Sequence, residues 1–516
     1  MSSKSIDNAY ARRAGALTAV SLIAKVAGAL YRIPLTNIIG AEGVGLYQLV
    51  FSIYALAIAL TSAFSATLIS RQVSSYLALG EEKGARGYFV TAAAESALSA
   101  FFVGAVLFLF AGRIASAQGS AEGALGYRVI APAVLLVSLL SSLKGWFNGN
   151  MNLTPSAFSI LIEQGVKLAA GILLASLFAP RGIAYACAAA LGGVTLSECA
   201  ATMTLGVLYL VKRSRGPFER IPIGRVVKEG LSLRVNGLIL PLAFFLDSFL
   251  ILRLLARFGL TQSQAVAAYG IYSGAINSVV NFPVVVVLSL AIAVIPLISR
   301  SKATRDIATL KGKAGLTVKL ALVVSLPAAL ALILLAPQTV ALLYPVFSAE
   351  EKAVAARLLA IGAGSVLFLS LTQIYASLLQ AIDRAGDAAK SLAVAMLVRV
   401  ILLVVLVPRI GIVGIAVSTL CAYALATLLN LLKWAQYTGR SENAFKTLAS
   451  VTASGGIMVV AILAPVILIR SPILSLALSA VIGSAVYLIA VLKLKVFSIG
   501  ELAAMPLSSV TTKIGR

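Results

Sequence analysis

Long apolar runs, interrupted by short charged clusters, dominate this chain from end to end. Read between those clusters, the runs fall near 14–38, 46–69, 88–111, 124–147, 154–179, 182–211 and 230–256. Seven more follow near 267–298, 315–344, 354–381, 388–407, 411–437, 447–469 and 473–494. Each is roughly 20 residues or longer, enough to cross ~30 Å of hydrocarbon as a helix. A closed barrel would also satisfy every backbone group in lipid, but it needs dyad alternation of apolar and polar residues, which these runs lack. The pattern predicts an all-α polytopic membrane protein with about fourteen transmembrane helices.

Composition agrees with the pattern. Of 516 residues, 60% are hydrophobic and only 12% charged, with a mean hydropathy of +1.01. A soluble fold of this length needs a larger charged surface. The formal net charge of +24 would suggest nucleic acid in a soluble protein, but here its distribution decides. With a cytoplasmic N-terminus, the segments between spans hold 27 basic residues on the inner side and seven on the outer side. That asymmetry is the positive-inside pattern, and it puts both termini on the cytoplasmic side of the membrane; the expected location is a bacterial plasma membrane. Trp146 and Trp434 fall at inner span ends, where interfacial aromatics belong. The charge therefore points to anionic inner-leaflet lipid and to no nucleic-acid partner. There are no histidines, which removes the commonest metal ligand and general base. Cys187, Cys199 and Cys421 sit in apolar segments without metal-ligand spacing and read as packing residues. No cleavable signal is evident, since the first apolar run is too long and lacks a cleavage pattern after it. No cofactor is expected, and an enzyme is disfavoured.

Two stretches echo each other. WFNGNMNLTPSAFSILIEQGVKLAAGILLASLFAPRGIA from Trp146 resembles LLQAIDRAGDAAKSLAVAMLVRVILLVVLVPRIGIVGIA from Leu378, at an offset of 232 that lays Lys167 on Arg399. A fainter echo links GLYQLVFS to AAYGIYSG at an offset of 222. The expected organisation is an N-lobe over 1–211 (spans 1–6), a basic cytoplasmic linker over 212–228 and a C-lobe over 229–437 (spans 7–12). Residues 438–516 hold spans 13–14 and a cytoplasmic tail. Repeated helical halves with a site between them are a common transporter design.

Twelve charged residues fall within spans: Lys25, Arg32, Arg128, Lys167, Arg234, Arg253, Lys319, Arg399, Glu95, Glu163, Glu198 and Asp247. At roughly 2.5–3.5 kcal/mol each on insertion scales, they would cost on the order of 30 kcal/mol if all faced lipid. Several must line a hydrated interior. Arg128, Arg234, Arg253 and Lys319 lie near span ends, where snorkelling is open to them. Lys25 and Arg32 lie inside span 1, about two helical turns apart and so on one face. Ser21 and Gly28 share that face, and Pro34 weakens the helix just beyond it. Such a stripe suits a cavity that binds an anion; pairing with acids elsewhere is the structural alternative. Glu163 and Lys167 have the favourable i,i+4 order and are expected to neutralise each other. Asp247 needs a cation, for which Arg399 is a candidate. Asn277 and Asn281 share a face of span 8, either lining the cavity or bonding between helices. The candidate cavity set is thus Lys25, Arg32, Glu163, Lys167, Asp247, Arg253, Asn277, Asn281 and Arg399.

Several segments together resemble a known group. KVAGALYRIPLTNIIGAEGVGLYQL, NLTPSAFSILIEQGVKL, FFLDSFLILRLL with AAYGIYSGAINSVVNFPVVV, and GIVGIAVSTLCAYALATLLNLL are similar to the stage V sporulation protein B group. These are polysaccharide-biosynthesis proteins of the multidrug/oligosaccharidyl-lipid/polysaccharide exporter superfamily, near the lipid II flippases. The segment at 154–164 is the most specific part. The resemblance implies a V-shaped pair of six-helix lobes, alternating access and a cationic central cavity for a lipid diphosphate. By analogy, Lys25 and Arg32 fall where those flippases place essential basic residues. Span 2 departs by carrying no basic residue midway. Arg399 also departs, standing near where some relatives contribute a sodium ligand. The expected function is flipping of an undecaprenyl-diphosphate-linked cell-wall or polysaccharide precursor between leaflets, with ion or membrane-potential coupling open. The alternatives are a multidrug antiporter, a polyprenyl-linked transferase, and a non-transporting scaffold in cell-wall or spore-cortex assembly.

Overall fold

A computed structural model of the protein describes residues 3–212, 217–304, 306–439 and 444–497. The basic residues at 213–216 and the tail from 498 lie outside the described residues, as do the side chains of Lys4, Arg12, Arg13 and Arg234. The described secondary structure is helical, without strands. Thirteen described segments are long and apolar enough to cross a membrane. The first, Leu17–Ala78, has 62 residues, or ~93 Å of helix at ~1.5 Å per residue, against the ~30 Å one crossing needs. Gly40 breaks it, with φ 69° and ψ −178°, a backbone state that glycine adopts without steric cost. Spans 1 and 2 of the sequence reading lie either side of that break. The other twelve segments overlap spans 3–14 one for one, with ends that differ by up to ten residues, so the protein is a multi-pass membrane protein of the expected class.

By packing the chain divides into two compact units, Met1–Ser278 with Leu403–Ile412, and Val279–Leu402 with Val413–Arg516. The first unit contains α1 (Ser3–Thr61), α2 (Ser65–Ala78), α3 (Glu82–Leu109), α4 (Ala111–Gln118) and α5 (Ala124–Gly149). It continues with α6 (Thr154–Phe178), α7 (Ile183–Lys212), α8 (Ile223–Phe258) and α9 (Gln262–Gly270). One π-helical turn, Ile271–Ile276, follows α9. This partition departs from the expected boundary at 212–228, because α8 and α9 pack against α1. The cause is a close approach of small residues. A methyl group at either Gly45 or Gly270 would collide with backbone of the other helix. Gln48 Nε2 then donates to the Ser273 carbonyl at 3.0 Å.

A buried polar knot extends this seam. Gln118 Nε2 donates to Ser248 Oγ at 2.9 Å and to the Leu49 carbonyl at 3.2 Å. The Tyr127 hydroxyl bonds Gln118 Oε1 and the same carbonyl. Every member of that knot has a partner, as burial in lipid demands.

The linker also belongs to the first unit from Pro217 onward. Glu219 N donates to the Lys83 carbonyl at 3.1 Å. Ile221 and Val226 enter an apolar cluster with Phe64, Leu68, Ile69, Val73, Tyr88 and Phe89. Glu229, in the second turn of α8, accepts from Gln72 Nε2 (3.0 Å), the Tyr88 hydroxyl (2.7 Å) and Arg225 Nε (2.9 Å).

The second unit contains α10 (Asn277–Ala303), α11 (Ile307–Leu334), α12 (Ala336–Leu343) and α13 (Ala349–Ala381). It continues with α14 (Ala385–Ile410), whose last residues from Leu403 belong to the first unit, and with α15 (Val413–Thr438), α16 (Ala444–Leu468) and α17 (Pro472–Lys493). α13 opens on a capping box of Ser348 and Glu351, and α11 on Asp306, whose carboxylate accepts from Thr309 N at 3.0 Å. Both caps satisfy amides that the first turn leaves unpaired. The Asp306 carboxyl, outside the membrane-spanning segments, is held below the ordinary carboxylate range by its hydrogen bonds from Thr309. α16 and α17 pack on each other and on α11 and α12 through Leu326, Val451, Met458, Ile462 and Tyr487.

Candidate functional site

Three helices of the first unit bring charge together inside the apolar bundle. α5 contributes Lys144, α6 contributes Glu163, Gln164 and Lys167, and α7 contributes Glu198. Lys144 Nζ lies 3.3 Å from Glu163 Oε2, with the two side chains 19% and 20% exposed. Gln164 Nε2 donates to the other carboxylate oxygen at 3.1 Å. The expected Glu163–Lys167 ion pair does not form. Lys167 Nζ instead stands 6.0 Å from the centre of the Tyr31 ring. The physical reason lies at Gly171, where any side chain would strike the Tyr31 hydroxyl. That opening admits Tyr31 against α6, and its ring face attracts the ammonium.

Glu198 is 8% exposed, and among the described residues its carboxylate has neither a hydrogen bond nor an ion pair. It lies in electrostatic reach of Glu163, Lys144 and Lys167. The Tyr54 hydroxyl of α1, buried and without a hydrogen-bond partner among the described residues, is in electrostatic reach of both carboxylates. Arg32 is partly buried and lies in electrostatic reach of Lys167 and Tyr47. The stripe at 21, 25, 28 and 32 does face α6 at one point, since a Cβ at Gly28 would touch Gln164 Oε1. Lys25, further along it, is exposed.

Glu163 and Lys167 of the candidate set therefore lie in electrostatic reach of each other and of Lys144 and Glu198, with Arg32 in reach of Lys167. The candidate set read from the sequence left out both Lys144 and Glu198. The lone signal for both was their charge in otherwise apolar helices. Arg253 is elsewhere: it is exposed and donates to the Ala117 carbonyl at the end of α4 at 2.9 Å. Asp247 is buried in α8 at 3% exposure. Asn277 and Asn281 are half-buried at the start of α10, just after the π turn. In the second unit Arg399 is 5% exposed, and its Nε donates to Thr419 Oγ1 at 3.0 Å. No group of three or more acidic or cysteine side chains is placed to hold a metal ion among the described residues.

Within the cluster Arg32, Lys144 and Lys167 outnumber the two carboxylates, and ammonium or guanidinium groups partly removed from water make strong hydrogen bonds to anionic oxygens. Its position is also defined within α5. Tyr127 of the polar knot and Lys144 are ~26 Å apart along that helix at ~1.5 Å per residue, so the knot and the charge cluster occupy opposite ends of the first unit.

Comparisons with known proteins give the same direction. Residues 10–302, more than half of the chain, match the model of the "Polysaccharide biosynthesis protein" family, and residues 237–405 match that of the MatE family. Stage V sporulation protein B of Bacillus subtilis (strain 168) is 26% identical over 80% of this chain and 81% of its own length. Lipid II flippase MurJ of the same organism is 23% identical over 92% of this chain and 87% of its own. Among solved structures, lipid II flippase MurJ in an inward closed conformation superposes with a TM-score of 0.70 at 13% identity, covering 92% of this chain and 97% of that one. An inward-facing MATE family transporter of the MOP superfamily gives 0.66 at 14% identity, covering 80% and 94%. With the helical architecture and the family match in agreement, the chain belongs to the polysaccharide biosynthesis protein family.

Proposed function

We propose that this protein flips an undecaprenyl-diphosphate-linked cell-wall or polysaccharide precursor from the inner to the outer leaflet by alternating access. The observation that carries the proposal is the excess of cations in the Arg32–Lys144–Glu163–Lys167–Glu198 cluster. A diphosphate is opposite in sign to that excess and offers the hydrogen-bond acceptors such cations take. Lys25, exposed on the same face of α1, extends it and would meet the headgroup first. The similarity to stage V sporulation protein B and to lipid II flippase MurJ supports a lipid-linked substrate of this class. Both termini are cytoplasmic in this reading, and the membrane potential supplies ~2.3 kcal/mol per translocated charge per 100 mV.

The test is a leaflet-accessibility assay in proteoliposomes with defined lipid-linked precursors. Transfer of a diphosphate-linked lipid, lost in Arg32→Ala and Lys25→Glu while thermal stability holds, is the expected result. A charge-assisted contact contributes ~1.5–3 kcal/mol, so Arg32→Ala weakens precursor binding about 10–100-fold. Lys25→Arg is tolerated better than Lys25→Ala, since phosphate accepts either cation. The MatE match over 237–405 favours a second reading, a multidrug antiporter. It predicts movement of organic cations, with no response to the diphosphate lipid. Full transport by Lys25→Ala and Arg32→Ala would make these cations structural and end the anionic-cavity proposal.

A further inference from the structure

The two carboxylates of the cluster are unequal. Glu163 is engaged, by Lys144 at 3.3 Å and by Gln164 at 3.1 Å. Glu198, on the neighbouring helix and 8% exposed, is engaged by nothing at bonding distance among the described residues. The titratable and charged groups facing it are Lys144 from α5, Glu163 and Lys167 from α6, and Tyr54 from α1. The short turns at 121–123 and 179–181 pack at the far end of α7, where Arg181 is ~25 Å from Glu198 at ~1.5 Å per residue.

Resting on the lipid-diphosphate reading above, we propose that Glu163 and Glu198 form a proton-accepting pair, so that an anionic diphosphate binds Lys144 and Lys167 with uptake of a proton from solvent. In the unliganded arrangement Glu163 holds the place on Lys144 that a phosphate oxygen must take. The incoming anion displaces that carboxylate, and both lysines stay ammonium. Glu163 and Glu198 are then left near each other and beside a second anion, without the cation that separated them. Two carboxylates in such a site do not both stay ionised. One oxygen of the pair takes a proton from water, no other bond forms or breaks, and the proton returns to solvent when the diphosphate leaves. Because the two groups interact, the proton belongs to the pair and not to either residue. The unpartnered Tyr54 hydroxyl is available to donate to the carboxylate that remains ionised. The lipid would thus travel with part of its charge compensated, making headgroup binding pH-dependent although the chain has no histidine.

The experiment uses the full chain in nanodiscs, titrated with farnesyl diphosphate by calorimetry in buffers of different ionisation enthalpy. Wild type should take up about one more proton per ligand than Glu198→Gln, whose uptake reports the ligand's own ionisation alone. Its affinity should fall by up to about tenfold per pH unit over a range where Glu198→Gln stays flat. Glu163→Gln should lose the same linkage while binding more tightly, because Lys144 no longer has to be vacated. It carries the test if Glu198→Gln does not fold. Equal proton uptake by wild type and either folded variant overturns the proton-pair proposal and leaves the substrate reading standing. No binding of the diphosphate by folded wild type overturns the substrate reading and this proposal with it.

Discussion

Lys144 and Glu163 meet across the α5–α6 turn at 3.3 Å, with about a fifth of each side chain exposed. Removing one partner strands the other in a poorly hydrated place. Lys144→Met and Glu163→Gln should each lower thermal stability, and a double-mutant cycle should return a coupling of about 1–3 kcal/mol. Strict additivity would show that the pair contributes nothing beyond its two members. The presence of charge inside these helices was legible in the sequence; the pairing was not. Spacing on one helix favours Glu163 with Lys167. The partner actually chosen depends on a tyrosine from another helix and a glycine that makes room for it, and periodicity records neither. Arg253 shows the same limit, since its helix position fits a cavity as well as it fits the Ala117 carbonyl it bonds.

Helices themselves were almost wholly legible, because lipid forces each crossing to be long, apolar and internally hydrogen-bonded. What joins them was less so. The seam of α1 with α9 rests on Gly45 and Gly270, residues far apart in the chain with no side chain to betray a contact. Packing at the seam is close enough that Gln48→Cys with Ser273→Cys should crosslink readily in a background without the three native cysteines. If alternating access requires α1 and α9 to part, crosslinking should stop transport and a reductant should restore it. Continued transport by crosslinked protein would show the seam to be static. At α11 the cap carboxylate of Asp306 has its folded titration point below the ordinary range, so its contribution is present above that range and is lost as pH falls through the lowered point. Asp306→Ala should therefore be less stable than wild type near neutral pH, with the difference vanishing in acid.

For the whole molecule the basic asymmetry remains the strongest topological guide, and it makes a direct prediction. Glu219→Cys and Glu350→Cys, both at exposed positions, should label from opposite faces of the membrane when the native cysteines are replaced. Labelling of both from one face would refute the fourteen-span arrangement. A linker rich in charge looks like a boundary, yet from Pro217 onward it is fastened to α2 and α3 by Glu229, Ile221 and Val226. That fastening has a consequence for taking the protein apart. Two genes encoding the chain as separate fragments should assemble in one cell if the cut falls before Pro217, because the second fragment then carries its own address on the first. A cut after Glu229 leaves that address on the wrong piece, and the two halves have to find each other without it.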